Sequence, residues 1–169
     1  QESGCVGMIH EKKMYEVKGG TGDIFVKRNI TPPEFMFNWK GEIEVPHVAM
    51  ERVKNEAAAM MYVKKHTDVP VPTIHCAFED NGRYYIIEDL MPGVGIHRLS
   101  EPQRTIVMEE LEGYIAELNS ITSTAMGGFA GAACLPCRVS QELVLCHNDL
   151  SQYNVLVDEE TLKITAIID

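Results

Sequence analysis

The sequence predicts an α+β fold in two lobes. Short apolar runs separated by turn residues fill the first part of the chain and enclose one helical pattern. A second, longer helical pattern and a strand–loop–strand segment follow. A chain of 169 residues is long enough for two small lobes, and we place them at residues 1–90 and 91–169.

The N-terminal lobe is predicted to contain two β-hairpins. Residues 14–17, 24–27, 73–78 and 84–87 are the expected strands, because they are short runs rich in apolar and β-branched residues. A Gly-rich turn joins the first pair, and Asn81-Gly82, a strong hairpin signal, lies between the second pair. An earlier strand is expected near residues 4–7.

Two helices and three further strands are also predicted. The first helix is expected over residues 46–66, with Pro46 in its first turn and a Val-Pro-Val-Pro segment ending it. The second is expected over residues 101–123, and its apolar side is Ile106, Val107, Leu111, Ile115 and Leu118. Strands are expected at residues 143–145, 155–157 and 164–168.

Charge and composition exclude several classes of partner and location. A formal net charge of -10 argues against a nucleic-acid partner. No apolar run approaches the ~20 residues of a membrane span, and the N-terminus lacks a signal-peptide pattern, so we expect a cytoplasmic protein without membrane contact. The 5 cysteines, an odd count, indicate reduced thiols, and we interpret Cys134 and Cys137 as ordinary thiols because no second pair accompanies them.

The strongest chemical signal is the segment 147–154, HNDLSQYN, between two apolar strands. Its pattern, H-x-D-L-x-x-x-N, supplies a carboxylate to orient a hydroxyl and an amide oxygen to bind magnesium, as phosphoryl transfer requires. Asp149 is therefore the candidate catalytic residue, and Asn154 is a candidate Mg²⁺ ligand. Asp169 follows the next strand pair and is the second candidate ligand. Each alone could be an ordinary turn residue, but their order favours catalysis.

Two upstream residues form a candidate phosphate-binding pair. Lys27 follows an apolar run in a predicted strand, and Glu56 lies in the next predicted helix. A lysine–glutamate pair of this kind positions ATP phosphates in kinases. A solvated strand-end cation is the alternative for Lys27, and Glu51 competes with Glu56 for the second position.

Several segments together resemble the aminoglycoside phosphotransferase family, in particular a branch abundant in fungi. These are FVKR at 25–28, NEAAA at 55–59, VPVP at 69–72, EDLMPG at 88–93 and HNDLSQYN at 147–154. The resemblance implies a bilobal, protein-kinase-like fold with ATP between the lobes. It also implies backbone contacts to adenine from Glu88 to Leu90, and a mostly helical C-terminal lobe that continues beyond Asp169.

The function implied is ATP-dependent, Mg²⁺-dependent phosphorylation of a hydroxyl on a small molecule. An aminoglycoside, another amino-sugar, a choline-like alcohol or an unrelated metabolite are all compatible acceptors. A non-catalytic, kinase-shaped binding module is the alternative, because the glycine pattern near residues 4–10 is weak for an ATP-covering loop. A protein kinase is the third interpretation. Asn148 argues against it, because protein kinases typically have arginine at this position.

Overall fold

The computed structural model describes residues 2–20, 22–123, 127–129, 143–147 and 149–169. The predictions for Cys134 and Cys137, and most of the Gly-rich stretch at 127–133, lie outside these residues. The chain divides into two compact units, one of Gln1–Ala58 with Thr73–Leu90 and one of Ala59–Pro72 with Met91–Asp169.

A five-stranded antiparallel sheet forms the first unit, in the order β1-β2-β3-β5-β4. Its strands are β1 (Cys5–Met8), β2 (Lys12–Val17), β3 (Ile24–Asn29), β4 (Ile74–Asp80) and β5 (Arg83–Asp89). Both predicted hairpins are confirmed. Asn81 and Gly82 have φ values of 47° and 73°, the left-handed geometry of a two-residue hairpin turn. Because β3 continues to Asn29, Lys27 lies inside the strand and not at its end.

Helix α1 (Ala49–His66) begins later than the predicted start at Pro46. Val48 has a φ of 55°, which is incompatible with a right-handed helix and delays the first helical residue. In the first unit, Val53 and Ala57 of α1 pack against Ile86 of β5. Lys64, Lys65 and His66 occupy the last turn, where positive charge complements the helix dipole.

The two faces of the sheet carry different chemistry, because successive side chains of a strand point to opposite faces. Ile86 marks the face that packs on α1, and Lys27 is its partner in register. Arg28 therefore points to the other face, where Glu34 accepts two of its hydrogen bonds, at 2.7 and 2.8 Å. These bonds lower the pKa of Glu34. Lys13 joins the same network at 2.8 Å from Glu34.

The second unit is built around helix α2 (Glu101–Asn119) and a three-stranded sheet. The strands are β6 (Val94–Gly95), β9 (Val155–Val157) and β10 (Ile164–Ile167), in the order β10-β9-β6. Val107, Leu111 and Leu118 pack into a core with residues of β9 and β10. The predicted apolar side of α2 was wrong at Ile106, which is 55% exposed.

The end of α2 also differs from the prediction, which carried the helix to Ser123. The helix stops at Asn119, and Thr122–Ser123 form strand β7, which pairs with β8 (Leu143–Val144). Long-range pairing therefore decides the conformation of this segment over its local helical pattern. Neither helix of the described residues is both long and apolar enough to cross a membrane. Cys76 and Cys146 are exposed and form no disulfide.

Candidate active site

Lys27 is a buried cation at the centre of the first unit. Its side chain is 2% exposed, and its Nζ lies 2.6 Å from Oε1 of Glu56 on α1. A solvated strand-end lysine is therefore excluded. Glu51, the competing carboxylate, lies on an exposed position of the same helix. The fold thus brings Lys27 and Glu56 together from positions that are 29 residues apart.

Glu88 adds a second carboxylate to this lysine. It lies near the end of β5, opposite Phe25 of β3, and its side chain shares the α1-facing side of the sheet. Oε1 of Glu88 is 3.1 Å from Nζ of Lys27, and both side chains are 2% exposed. The sequence analysis predicted only a backbone contact to adenine at Glu88 and missed this contact of its side chain. A charged residue directly after a buried apolar run is the signal that could have found it.

Lys12 is a further residue that the sequence analysis did not identify. It begins β2, and its Nζ lies 2.9 Å from Oε2 of Glu56. Glu56 therefore holds one lysine on each carboxylate oxygen, Lys27 on Oε1 and Lys12 on Oε2. We call Lys12, Lys27, Glu56 and Glu88 the lysine–glutamate cluster.

Leu90 lies directly after β5 and is tied to the same unit by its backbone. Its amide donates a hydrogen bond to the carbonyl of Asp23 at 3.1 Å, and the amide of Asp89 donates to the carbonyl of Thr73 at the same distance. Because this N–H already has an acceptor, an adenine contact at Leu90 would use its carbonyl oxygen. The predicted role of residues 88–90 in adenine binding stays a prediction.

Asp149 and Asn154 meet within one loop of the second unit. Nδ2 of Asn154 donates to the backbone carbonyl of Asp149 at 2.9 Å and lies 3.5 Å from its Oδ2. With Nδ2 directed into the loop, Oδ1 is the atom of Asn154 that can coordinate a cation. Two backbone hydrogen bonds close the loop further. The amide of Ser151 donates to the carbonyl of Asp149, and the amide of Asn154 donates to the carbonyl of Ser151. The carboxylate of Asp149 belongs to an exposed residue.

Asp169 is placed beside this loop by the β9–β10 hairpin. Val155 at the start of β9 pairs with Ile167 at the end of β10, so the residues flanking them lie at one end of the hairpin. The amide of Ile168 donates to the carbonyl of Asn154 at 2.9 Å. Nε2 of His147 lies 3.2 Å from the carbonyl of Ile168. His147 therefore links the loop to the segment that carries Asp169 and supports the position of that loop.

The side-chain oxygens of Asn154 and Asp169 fit Mg²⁺ that is held jointly with phosphate. The described residues contain no group of three His, Cys, Asp or Glu side chains that could hold a metal alone. Magnesium commonly takes one or two protein oxygens and completes its shell with phosphate oxygens and waters. One amide oxygen and one carboxylate at the same hairpin end are suited to that arrangement.

Comparison with known proteins identifies the type of fold. No family model matches the chain. Two curated relatives are ribosomal protein S6 kinase 2 beta and alpha from Xenopus laevis, each 26% identical over 146 residues, or 85% of this chain. The match spans only 20% and 18% of those proteins. This chain therefore corresponds to about a fifth of their length.

Solved structures give a match over almost the whole chain. A thermostable mutant of aminoglycoside phosphotransferase APH(4)-Ia, in ternary complex with ADP and hygromycin B, superposes with a TM-score of 0.64 at 14% identity. That match covers 98% of this chain and 64% of that one. PpkA in its apo form gives a TM-score of 0.52 at 13% identity, covering 98% of this chain and 56% of that one. The chain has a kinase-like α+β fold.

Proposed function

We propose that this chain is a phosphotransferase that moves the γ-phosphoryl group of ATP to a hydroxyl group. The observation that carries the proposal is the 2.6 Å ion pair between Lys27, buried in the five-stranded sheet, and Glu56 of α1, in a kinase-like fold. Burying a lysine is costly unless it is paired, and a paired lysine on this sheet is the group that kinases use to position ATP phosphates.

The proposed roles follow from the chemistry of each side chain. Lys27 would contact the phosphates of ATP, and Glu56 would fix the direction of its ammonium group. Asn154 and Asp169 would hold Mg²⁺, which neutralises charge on the phosphates when bound. Asp149, with a carboxylate on an exposed residue of the adjoining loop, would accept a hydrogen bond from the acceptor hydroxyl and orient it for attack.

We assign these roles to two regions of the chain. Residues 1–90 would form the nucleotide-binding lobe, since they contain the lysine–glutamate cluster and the adenine-binding candidates Glu88 and Leu90. Residues 91–169 would form the start of the catalytic lobe, since they contain Asp149, Asn154 and Asp169. Leu90 and Met91 lie on either side of one boundary between the two compact units, but residues 59–72 group with the second unit.

We propose a small molecule as the acceptor. The structural likeness to the aminoglycoside phosphotransferase is the stronger of the two given above, with a TM-score of 0.64. Asn148 also stands where protein kinases typically have an arginine, between the histidine and the aspartate of the catalytic loop. An amino-sugar or another small alcohol is therefore the acceptor class that these features favour.

A protein acceptor is the second candidate. It is favoured by the 26% identity to the two ribosomal protein S6 kinases over 85% of this chain. The two candidates share the ATP chemistry and differ only in which hydroxyl attacks.

A transfer assay with γ-labelled ATP separates the two candidates. The protein would be incubated with Mg²⁺, ATP and either hygromycin B, other aminoglycosides and choline, or ribosomal protein S6. We expect label on a small hydroxylated molecule and none on ribosomal protein S6. Label on ribosomal protein S6 alone would indicate a protein kinase instead. ATP binding without transfer to any acceptor would favour a nucleotide-binding module.

A further inference from the structure

The lysine–glutamate cluster contains one cation more than the proposed function uses. Glu56 is within 2.9 Å of Lys12 and within 2.6 Å of Lys27, and Lys27 is also 3.1 Å from Glu88. The side chains of Lys12 and Lys27 differ in access, at 12% and 2% exposed. Lys12 is therefore the lysine of the cluster that solvent reaches more easily.

The register of the sheet places both lysines on one face. Lys12 of β2 pairs with Asn29 of β3, and Lys27 lies two positions before Asn29. Residues two apart in a strand share a face, and so do residues directly opposite each other on neighbouring strands. Lys12 and Lys27 therefore both point to the side on which α1 supplies Glu56.

The charges of the cluster explain why a second lysine is needed there. Lys27 faces two carboxylates, Glu56 and Glu88, so its single positive charge is already offset. A polyphosphate that approaches Lys27 also approaches both carboxylates, and in a partly buried site that repulsion is weakly screened. Lys12 brings the four groups to two ammonium and two carboxylate charges and lowers this repulsion.

We propose that Lys12 is a second phosphate-binding residue of the nucleotide site. Glu56 holds Lys12 and Lys27 on its two oxygens, so both ammonium groups are kept within reach of one polyphosphate. Lys12 meets the anion from the more accessible side and compensates for the carboxylate of Glu88. This inference rests on the proposed function, because it names a further residue of the same ATP site.

Lys12→Met tests the inference, with Lys13→Met as the matched control. Lys13 is the next residue of β2, has a side chain 15% exposed, and points to the opposite face, where it pairs with Glu34. Affinities for ATP, adenosine and inorganic tripolyphosphate would be measured by calorimetry. We expect Lys12→Met to weaken ATP and tripolyphosphate binding by about tenfold, the usual scale of one charged hydrogen bond, with adenosine affinity unchanged. Lys13→Met should leave all three affinities unchanged.

Two further variants separate phosphate binding from a purely structural role. Lys12→Arg keeps the charge and should retain most of the ATP affinity. Glu88→Gln combined with Lys12→Met removes one charge of each sign and should recover ATP affinity relative to Lys12→Met. A structural role alone would lower thermal stability and weaken adenosine and ATP binding equally, and that result would overturn the inference.

The outcomes also separate this inference from the proposed function. If the wild type binds ATP and Lys12→Met binds it with the same affinity, the role of Lys12 is overturned and the proposed function stays intact. Tripolyphosphate binding that needs Lys12, without any ATP binding, would overturn the proposed function and support Lys12 as an anion-binding residue. Failure of the wild type to bind either probe would overturn both.

Discussion

Replacing Asp149 with asparagine is expected to lower turnover by roughly 10²–10⁴-fold, the usual contribution of a general base or positioning group. Nucleotide affinity should stay close to that of the wild type, because the proposed partner of Asp149 is the acceptor hydroxyl and not ATP. The substitution is well suited to the loop. Asn154 donates its shorter hydrogen bond, at 2.9 Å, to the backbone carbonyl of Asp149, which the variant keeps.

The measurement is steady-state ADP formation with the best acceptor, together with the dissociation constant for Mg-ATP. Asp68→Asn is the control, since Asp68 is an exposed aspartate of the same unit, far from the loop in sequence. It should leave both quantities unchanged. Near-normal turnover in Asp149→Asn would mean that another carboxylate acts on the acceptor.

Replacing Asp169 with alanine is expected to weaken the magnesium dependence of ATP binding more than Asp149→Asn does. A carboxylate is a stronger ligand for Mg²⁺ than the neutral amide of Asn154, so Asp169 should contribute most of the protein's share of metal affinity. Loss of a residue that merely orients a metal ligand costs roughly 10–100-fold in metal affinity, and loss of the ligand itself should cost no less.

The measurement is an ATP titration at several Mg²⁺ concentrations in the wild type and both variants. Asp169 has a φ of 79°, a conformation that alanine tolerates less well than asparagine or aspartate. Asp169→Asn is therefore a useful companion, because it removes the charge and keeps the backbone preference. Unchanged metal dependence in both variants would show that Asp169 is only a residue that follows β10 and that the metal ligand lies elsewhere.

The sequence was most informative about the fold where local signals and pairing agree. Asn81-Gly82 has the backbone preference that a two-residue hairpin needs, and the apolar runs on either side of it form β4 and β5. Residues 120–123 follow a helical pattern but form no helix, because Thr122 and Ser123 pair with β8, whose residues follow much later in the chain. A local pattern cannot report such a distant partner.

The candidate site likewise contains residues that a local motif predicts and residues that only strand pairing brings together. The loop with Asp149 and Asn154 is contiguous, so its motif could be read directly from the sequence. The contact between Lys12 and Glu56 joins positions 44 residues apart, and it depends on the register of β2 against β3 and on the placement of α1. Strand register is set by pairing across the sheet, so a lysine at the start of β2 carried no signal of its own.

Calorimetric titration of the wild-type protein with ATP, with and without Mg²⁺, tests the central claim most directly. If the chain is a phosphotransferase built on the lysine–glutamate cluster and the Asn154–Asp169 pair, ATP will bind saturably and with higher affinity when magnesium is present. Absence of nucleotide binding under both conditions would contradict the proposal, and the kinase-like fold would then serve another purpose in this protein.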